Sequence, residues 1–353
     1  MKKLILFALI FLLAAAVSTG CSQQAGAQNS SDGKIKIVTT IFPEYDWVKE
    51  ILGNKADRAE LSMLLDNGVD LHSYQPTVDD IIRISDCDLF IYVGGESDGW
   101  VEGALKEAKN KDMIVINLLE TLGESVKEEE IVEGMQEEEH DHEHDHGHDE
   151  DEDHDHEDDH DEDHDHHDEE TEYDEHVWLS LRNAAIICDR ITEALSRLDP
   201  DNSGIYSANN EAYKAKLTDL DKQYENTVAA APVKTLLFGD RFPFRYFTDD
   251  YGLSYYAAFA GCSAETGASF ETIIFLAGKV DELNLPAILT IDGSSGEIAE
   301  AVDQNTDTKN RKILTLDSMQ SVTSKDVEGG TTYISIMTKN LEVLKEALGI
   351  PEN

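Results

Sequence analysis

Between His140 and Glu170 the chain contains only His, Asp and Glu, apart from Gly147. A run with no apolar stripe gives a helix or strand nothing to bury, so it is read as a disordered insertion, spanning about residues 124–173 with its flanks. The folded structure has to be built from the segments on either side. Eleven of the 13 histidines lie in the run: His140, His142, His144, His146, His148, His154, His156, His160, His164, His166 and His167. Imidazole suits zinc, copper and nickel, and carboxylates supply charge neutralisation. A tract this rich in both reads as a loose, low-affinity store for divalent ions, where a purely acidic linker would need no histidine.

The net charge is −46, of which the run carries 19 negative charges and the rest of the chain −27. Nucleic acid is excluded as a partner, because phosphate binding needs Lys and Arg patches. The length of 353 residues suggests about two domains. With 40% hydrophobic residues, the chain can build real cores outside the run.

At the N-terminus, Lys2 and Lys3 precede the apolar stretch Leu4 to Val17. Residues 1–20 therefore read as an export signal, too short for a stable membrane span. Small residues up to Gly20 directly before Cys21 resemble a bacterial lipobox, with Ser18 where Leu is usual. Cys21 is then the expected lipidated residue, and 21–33 a flexible tether. The remaining cysteines, Cys87, Cys188 and Cys262, are too widely spaced for a disulfide framework or a CxxC zinc motif.

From Lys34 onward, short apolar runs alternate with amphipathic stretches. Lys36–Thr40, Leu89–Val93 and Met113–Ile116 read as buried strands; Tyr45–Leu52, Val78–Ile84 and Trp100–Ala108 carry helical spacing. Past the run, Val177–Leu198 reads as a helix, and a long helical stretch without Pro fills Ser203 to Ala231. Strands then recur at Val233–Phe238, Tyr255–Phe259, Ala287–Ile291 and Lys312–Leu316, with helices at Phe270–Leu283, Glu297–Gln304 and Thr331–Leu348. The expected fold class is α/β: an N-terminal lobe (34–200), a connecting helix (201–232) and a C-terminal lobe (233–353), each lobe a parallel sheet covered by helices. Ligands of such sheets bind beyond the carboxyl ends of the strands, which places a site in the cleft between the lobes.

Two histidines stand outside the run. His72 lies in GVDLHSYQPT, after the apolar stretch Leu61–Leu65, and His176 in DEHVWLSLRNA. Together with FGDRFPFRYFTDDYGL and the opening TTIFPEYDWVKEILG, these stretches resemble the zinc and manganese receptors of bacterial ABC importers, the cluster A-I substrate-binding proteins. The resemblance runs from about Ile35 to Leu348 and includes a His/acid-rich insertion in the same place. It implies two (β/α) lobes joined by one long rigid helix, with a metal held in the cleft by four side chains. It also implies delivery to a permease and its ATPase by a monomer anchored through its lipid.

Matched to that family, His72 and His176 fall on its two first-lobe histidine ligands. Arg241 falls on the third position, usually His or Glu, yet a guanidinium has no free lone pair. Asp240, Cys262 or a water molecule is left to supply that ligand, and Arg241 is expected to pair with a carboxylate such as Glu265. Asp317, after a late strand, matches the fourth position. Two imidazoles and two carboxylates suit zinc or manganese; the histidine tract tips the choice to Zn2+ as transported ligand. Alternatives are a manganese or iron receptor on the same scaffold, or a metal-buffering or adhesion lipoprotein without a transport role. His156-Glu157-Asp158-Asp159-His160 matches the H-E-x-x-H protease pattern, but it lacks a helix to align both histidines. No enzyme activity is expected.

Overall fold

The computed structural model describes residues 33–136, 172–263 and 267–351. The export segment, Cys21, its tether, the histidine tract and Glu265 lie outside the described residues. Within Lys34–Asn353, the first lobe reads β1 (Ile35–Thr39), α1 (Phe42–Leu52), β2 (Ala59–Met63), α2 (Val78–Asp86), β3 (Leu89–Tyr92), α3 (Val101–Lys106), β4 (Ile114–Asn117) and α4 (Leu118–Leu122). Its four strands are all parallel, in the order β2-β1-β3-β4. The Leu61–Leu65 stretch thus contains the end of an edge strand. Its alternation is weak, because only Ala59 and Met63 of β2 are buried.

Two helices follow, α5 (Leu181–Leu198) and α6 (Ser203–Ala230). At a rise of 1.5 Å per residue, α6 is about 42 Å long. Its buried residues Tyr206, Asn210, Tyr213, Leu217, Leu220, Tyr224 and Thr227 recur every three or four positions, which makes one apolar seam. The seam packs chiefly on α5 and α1. Val177–Leu179, expected to open α5, instead forms a separate 3-10 turn, because Ser180 takes the cap position and accepts the Asn183 N–H.

The second lobe repeats the topology of the first. β5 (Thr235–Phe242), α7 (Arg245–Tyr251), β6 (Ser254–Ala260), α8 (Phe270–Glu282), β7 (Ala287–Ile291), α9 (Glu297–Asn305) and β8 (Lys312–Leu316) form a parallel sheet in the order β6-β5-β7-β8. β5 runs four residues beyond the expected end, with a register shift between Phe238 and Arg241, so Asp240 and Arg241 sit in the strand. At the shift, a Cβ on Gly239 would stand 2.5 Å from Ala299 Cα of α9. After α10 (Ser324–Glu328), α11 (Tyr333–Ala347) returns to the first lobe and packs on α6 and α1. Tyr333 donates its N–H to Asp46 and its hydroxyl to Trp178 O, and Tyr224 donates to Met337 O.

One buried cluster consequently runs from Ile37 and Phe90 through Ile187 and Tyr213 to Phe238 and Leu344, across both lobes; a second fills the space between β6, β7, α8 and α9. The insertion also differs from expectation. Its flanks are fixed as far as Gln136 and from Glu172 onward. Gln136 N donates to Ala258 O, and Glu128 and Tyr173 form an antiparallel bridge. Val126, Val132 and Met135 give the first flank the apolar contacts that the run lacks.

Two stability predictions follow from this packing. Gly239→Ala should cost about 1–3 kcal/mol in urea unfolding, since the added methyl meets the α9 backbone; an unchanged midpoint would contradict this contact. Glu44 is wholly buried, accepting Thr40 N and Ile41 N, and burial followed by the Asp98 charge pushes its carboxyl from 4.5 up to about 8. The native state keeps this proton where the unfolded chain releases it. Stability fully present below 4.5 is therefore lost as pH rises through about 8. Glu44→Gln should flatten that dependence, and identical pH slopes for the two proteins would refute the assignment.

Candidate metal centre

Both isolated histidines sit two residues after an aspartate that shapes their turn. After β2, Asp70 caps a short 3-10 turn, its Oδ1 accepting His72 N at 3.0 Å while Leu71 is buried beneath. Before α5, Asp174 Oδ1 accepts His176 N at 2.8 Å, and buried Val177, Trp178 and Leu179 pin the chain that follows. Trp178 Nε1 then donates to Ser318 O of the second lobe. Local sequence fixes each backbone, and the shared core fixes their separation.

The two imidazoles meet edge to edge, with Nε2 of His72 3.2 Å from Nε2 of His176. The Nδ1 atoms face outward to other partners. His72 Nδ1 lies 2.7 Å from Ser97 Oγ and 3.6 Å from Glu175 Oε2; His176 Nδ1 lies 3.1 Å from Asp174 Oδ1. An acceptor behind Nδ1 that holds the proton there frees Nε2 to bind a metal, as in the outer shells of metal-bound histidines. Two Nε2 atoms about 3.3 Å apart match one edge of a tetrahedron with bonds of 2.0–2.1 Å. His176 is fully buried. Burial, followed by the neighbouring His176, pushes His72 down from 6.5 to about 3, so at neutral pH it is an uncharged base.

Cys262 completes a group of three. Its Sγ and one nitrogen from each histidine all lie within 4.8 Å of one another. Gly261 makes the approach possible, since a Cβ there would fall 2.8 Å from Phe242 O and 3.1 Å from His176 Cε1. The cysteine N–H donates to Glu129 Oε1 at 3.0 Å. Burial, then Glu129 and Asp174, push the Cys262 thiol up.

The other expected ligands stand apart from this group. Asp240 lines a cavity of about 410 Å³ together with His72, yet its oxygens accept Arg241 N and Ile291 N. Asp317 does not line that cavity. Its Oδ1 accepts Met319 N, and burial with the nearby Asp292 pushes it up to about 6. Arg241 reaches across the cleft: its Nη2 donates to Asp70 Oδ2 at 2.7 Å, while its Nη1 donates to Ser263 O at 3.4 Å. Burial works to raise Asp70, but Arg241 and His72 outweigh it and hold the carboxyl below its usual range. The expected partner Glu265 lies outside the described residues.

Ser97 and the paired aspartates were not anticipated. The D-x-H spacing at Asp70/His72 and Asp174/His176 is a signal that could have found the aspartates; Ser97, after β3, carries none. Glu175 Oε2 has no hydrogen-bond partner, although the residue is 2% exposed. A second cavity, about 250 Å³, is lined by His72, Ser97, Glu175 and Cys262 and, from the insertion's neck, Glu129, Glu172 and Tyr173. Glu129, Glu172 and Tyr173, which flank the tract in sequence, therefore belong to the rim of this site.

Comparison with known proteins agrees with this geometry. Residues 37–347 match the family described as zinc-uptake complex component A, periplasmic. The chain is 31% identical to the high-affinity zinc uptake system protein ZnuA of Bacillus subtilis, over 98% of this chain and 97% of that protein. It is 30% identical to the zinc-binding lipoprotein AdcA of Streptococcus pneumoniae, spanning 61% of that longer protein's length. The crystal structure of the Zn(II)-bound ZnuA-like domain of that AdcA superposes with a TM-score of 0.64 at 26% identity, covering 90% of this chain and 99% of that one. By these matches, and with the α/β two-lobe fold in place, the chain belongs to the zinc-uptake complex component A (ZnuA) family.

Proposed function

We propose that this chain is an extracytoplasmic, high-affinity receptor that captures Zn2+ between its lobes and delivers it to an ABC import permease and its ATPase. The observation that carries the reading is the pair of buried Nε2 atoms 3.2 Å apart, each ring held from behind at Nδ1. With the proton of each ring on Nδ1, the two Nε2 lone pairs face a single point that one divalent cation can occupy. The proposed ligands are His72 and His176; Asp240 and Asp317, the further oxygen donors expected from the sequence, each accept a backbone N–H. The names of the Bacillus and pneumococcal relatives support zinc as cargo.

Imidazole donors favour zinc over manganese, which prefers oxygen. The tract from His140 to His167 acts in this reading as a low-affinity antenna at the rim. Among the described residues no helix is long and apolar enough to cross a membrane. Retention at the membrane is assigned to lipidated Cys21, supported by the small residues before it, and the receptor acts as a monomer. The reading includes no catalytic step.

Calorimetric titration tests it. His72→Ala and His176→Ala should each weaken the tight zinc site by more than the 10–100-fold typical of losing an outer-shell partner. Deleting residues 140–170 should remove only weak sites; loss of the tight site on deletion would reverse this division of labour. In competition, Zn2+ should displace Mn2+ from the apoprotein, and preference for Mn2+ would overturn the choice of cargo.

A further inference from the structure

We propose that Cys262 ligates the transported ion through a thiolate, supplying from the second lobe the donor that Arg241 cannot. The proposal rests on the reading of His72 and His176 as a zinc site. In the second sheet, β5 pairs with β6 in a register that sets Arg241 beside Phe259 and Phe242 beside Ala260. Cys262 lies two residues beyond that pairing, at the carboxyl edge of the neighbouring strand. A ligand missing at the end of β5 can therefore be replaced from the end of β6. Arg241 is already engaged with Asp70, and its protonated guanidinium offers a metal no lone pair.

Three features converge on the sulfur. It lies within 4.8 Å of one nitrogen of each imidazole, and donors of a tetrahedral zinc with a Zn–S bond of about 2.3 Å stand about 3.5 Å apart, so closing by at most about 1.3 Å completes the site. Gly261 is the residue against His176 and Phe242 O, so the turn brings Cys262 in as closely as a chain can pass. Glu175, 2% exposed and lining the same small cavity, keeps an oxygen without a hydrogen-bond partner 3.6 Å from His72 Nδ1. When zinc binds, the S–H proton passes to water and the sulfur lone pair forms the Zn–S bond. The site becomes two neutral imidazoles and one thiolate, and the ion's remaining positive charge faces the Glu175 carboxylate behind His72.

A thiolate changes which ions the receptor holds. Sulfur ligands favour zinc and softer ions such as cadmium and cuprous copper, and disfavour manganese. Cys262 is thus the residue that sets selectivity in the cleft. Cys87 and Cys188 are fully buried in the core, away from this competition.

The full chain loaded with one equivalent of Co2+ should show a thiolate-to-cobalt charge-transfer band, and Zn-edge X-ray absorption of the one-equivalent zinc form should show one sulfur neighbour at about 2.3 Å. Cys262→Ser should abolish the band, weaken zinc at least about 10-fold and narrow the preference for Zn2+ over Mn2+. If that variant does not fold, peptide mapping of the wild-type protein decides. One equivalent of zinc should protect Cys262 from alkylation, and unchanged labelling would overturn the proposal. Tight zinc binding with only nitrogen and oxygen neighbours, or a band that survives in Cys262→Ser, overturns the thiolate and leaves the receptor intact. Absence of any tight site in the wild-type protein overturns both.

Discussion

Two imidazole nitrogens are held 3.2 Å apart inside the protein. They come from segments 104 residues apart, so the scaffold sets that separation. The D-x-H turns fix each ring locally. The common core fixes the rings relative to each other, through α6's apolar seam and through α11, which crosses back to hydrogen-bond Asp46 and Trp178 O. A pair of lobes packed separately could relax by a few tenths of an ångström and lose the edge of the tetrahedron. Here the cores merge, and the spacing of the two rings is held by that shared packing.

The cleft carries a second restraint that the metal does not supply. Arg241 bridges to Asp70, the same aspartate that caps the His72 turn through its other oxygen. One carboxylate thereby couples the closure of the lobes to the placement of a ligand. It is shielded enough for Arg241 and His72 to hold it ionised, yet about a quarter exposed, so its worth in stability is modest.

Much of this was legible in the chain. Alternation of apolar runs with 3.6-residue spacing gave the two parallel sheets, and the Pro-free stretch after Gly204 gave the long helix. His72 and His176 were recognisable because both lie outside the tract, at the ends of apolar segments. What was not legible depends on three-dimensional closure. β5 continues through Asp240 and Arg241 because β6 pairs with it at Arg241 and Phe242, and no local signal at Gly239 announces this. Asp317 looks like a ligand along the chain, and in the fold one of its oxygens accepts Met319 N of its own turn. Arg241 finds Asp70, 171 residues away, a partner that no spacing rule reaches.

The bridge between Glu128 and Tyr173 closes a neck whose two sides are already fastened, Gln136 N to Ala258 O on the outgoing side and the Tyr246 hydroxyl to Asp174 O on the returning one. Everything the fold needs is satisfied before the chain leaves the neck and after it returns. Doubling the number of residues between the two sides would change the cost of closure by only about 0.6 kcal/mol. The length and composition of that stretch are thereby released from the demands of folding. They can drift with the metal supply of the surroundings while the cleft beneath keeps its shape.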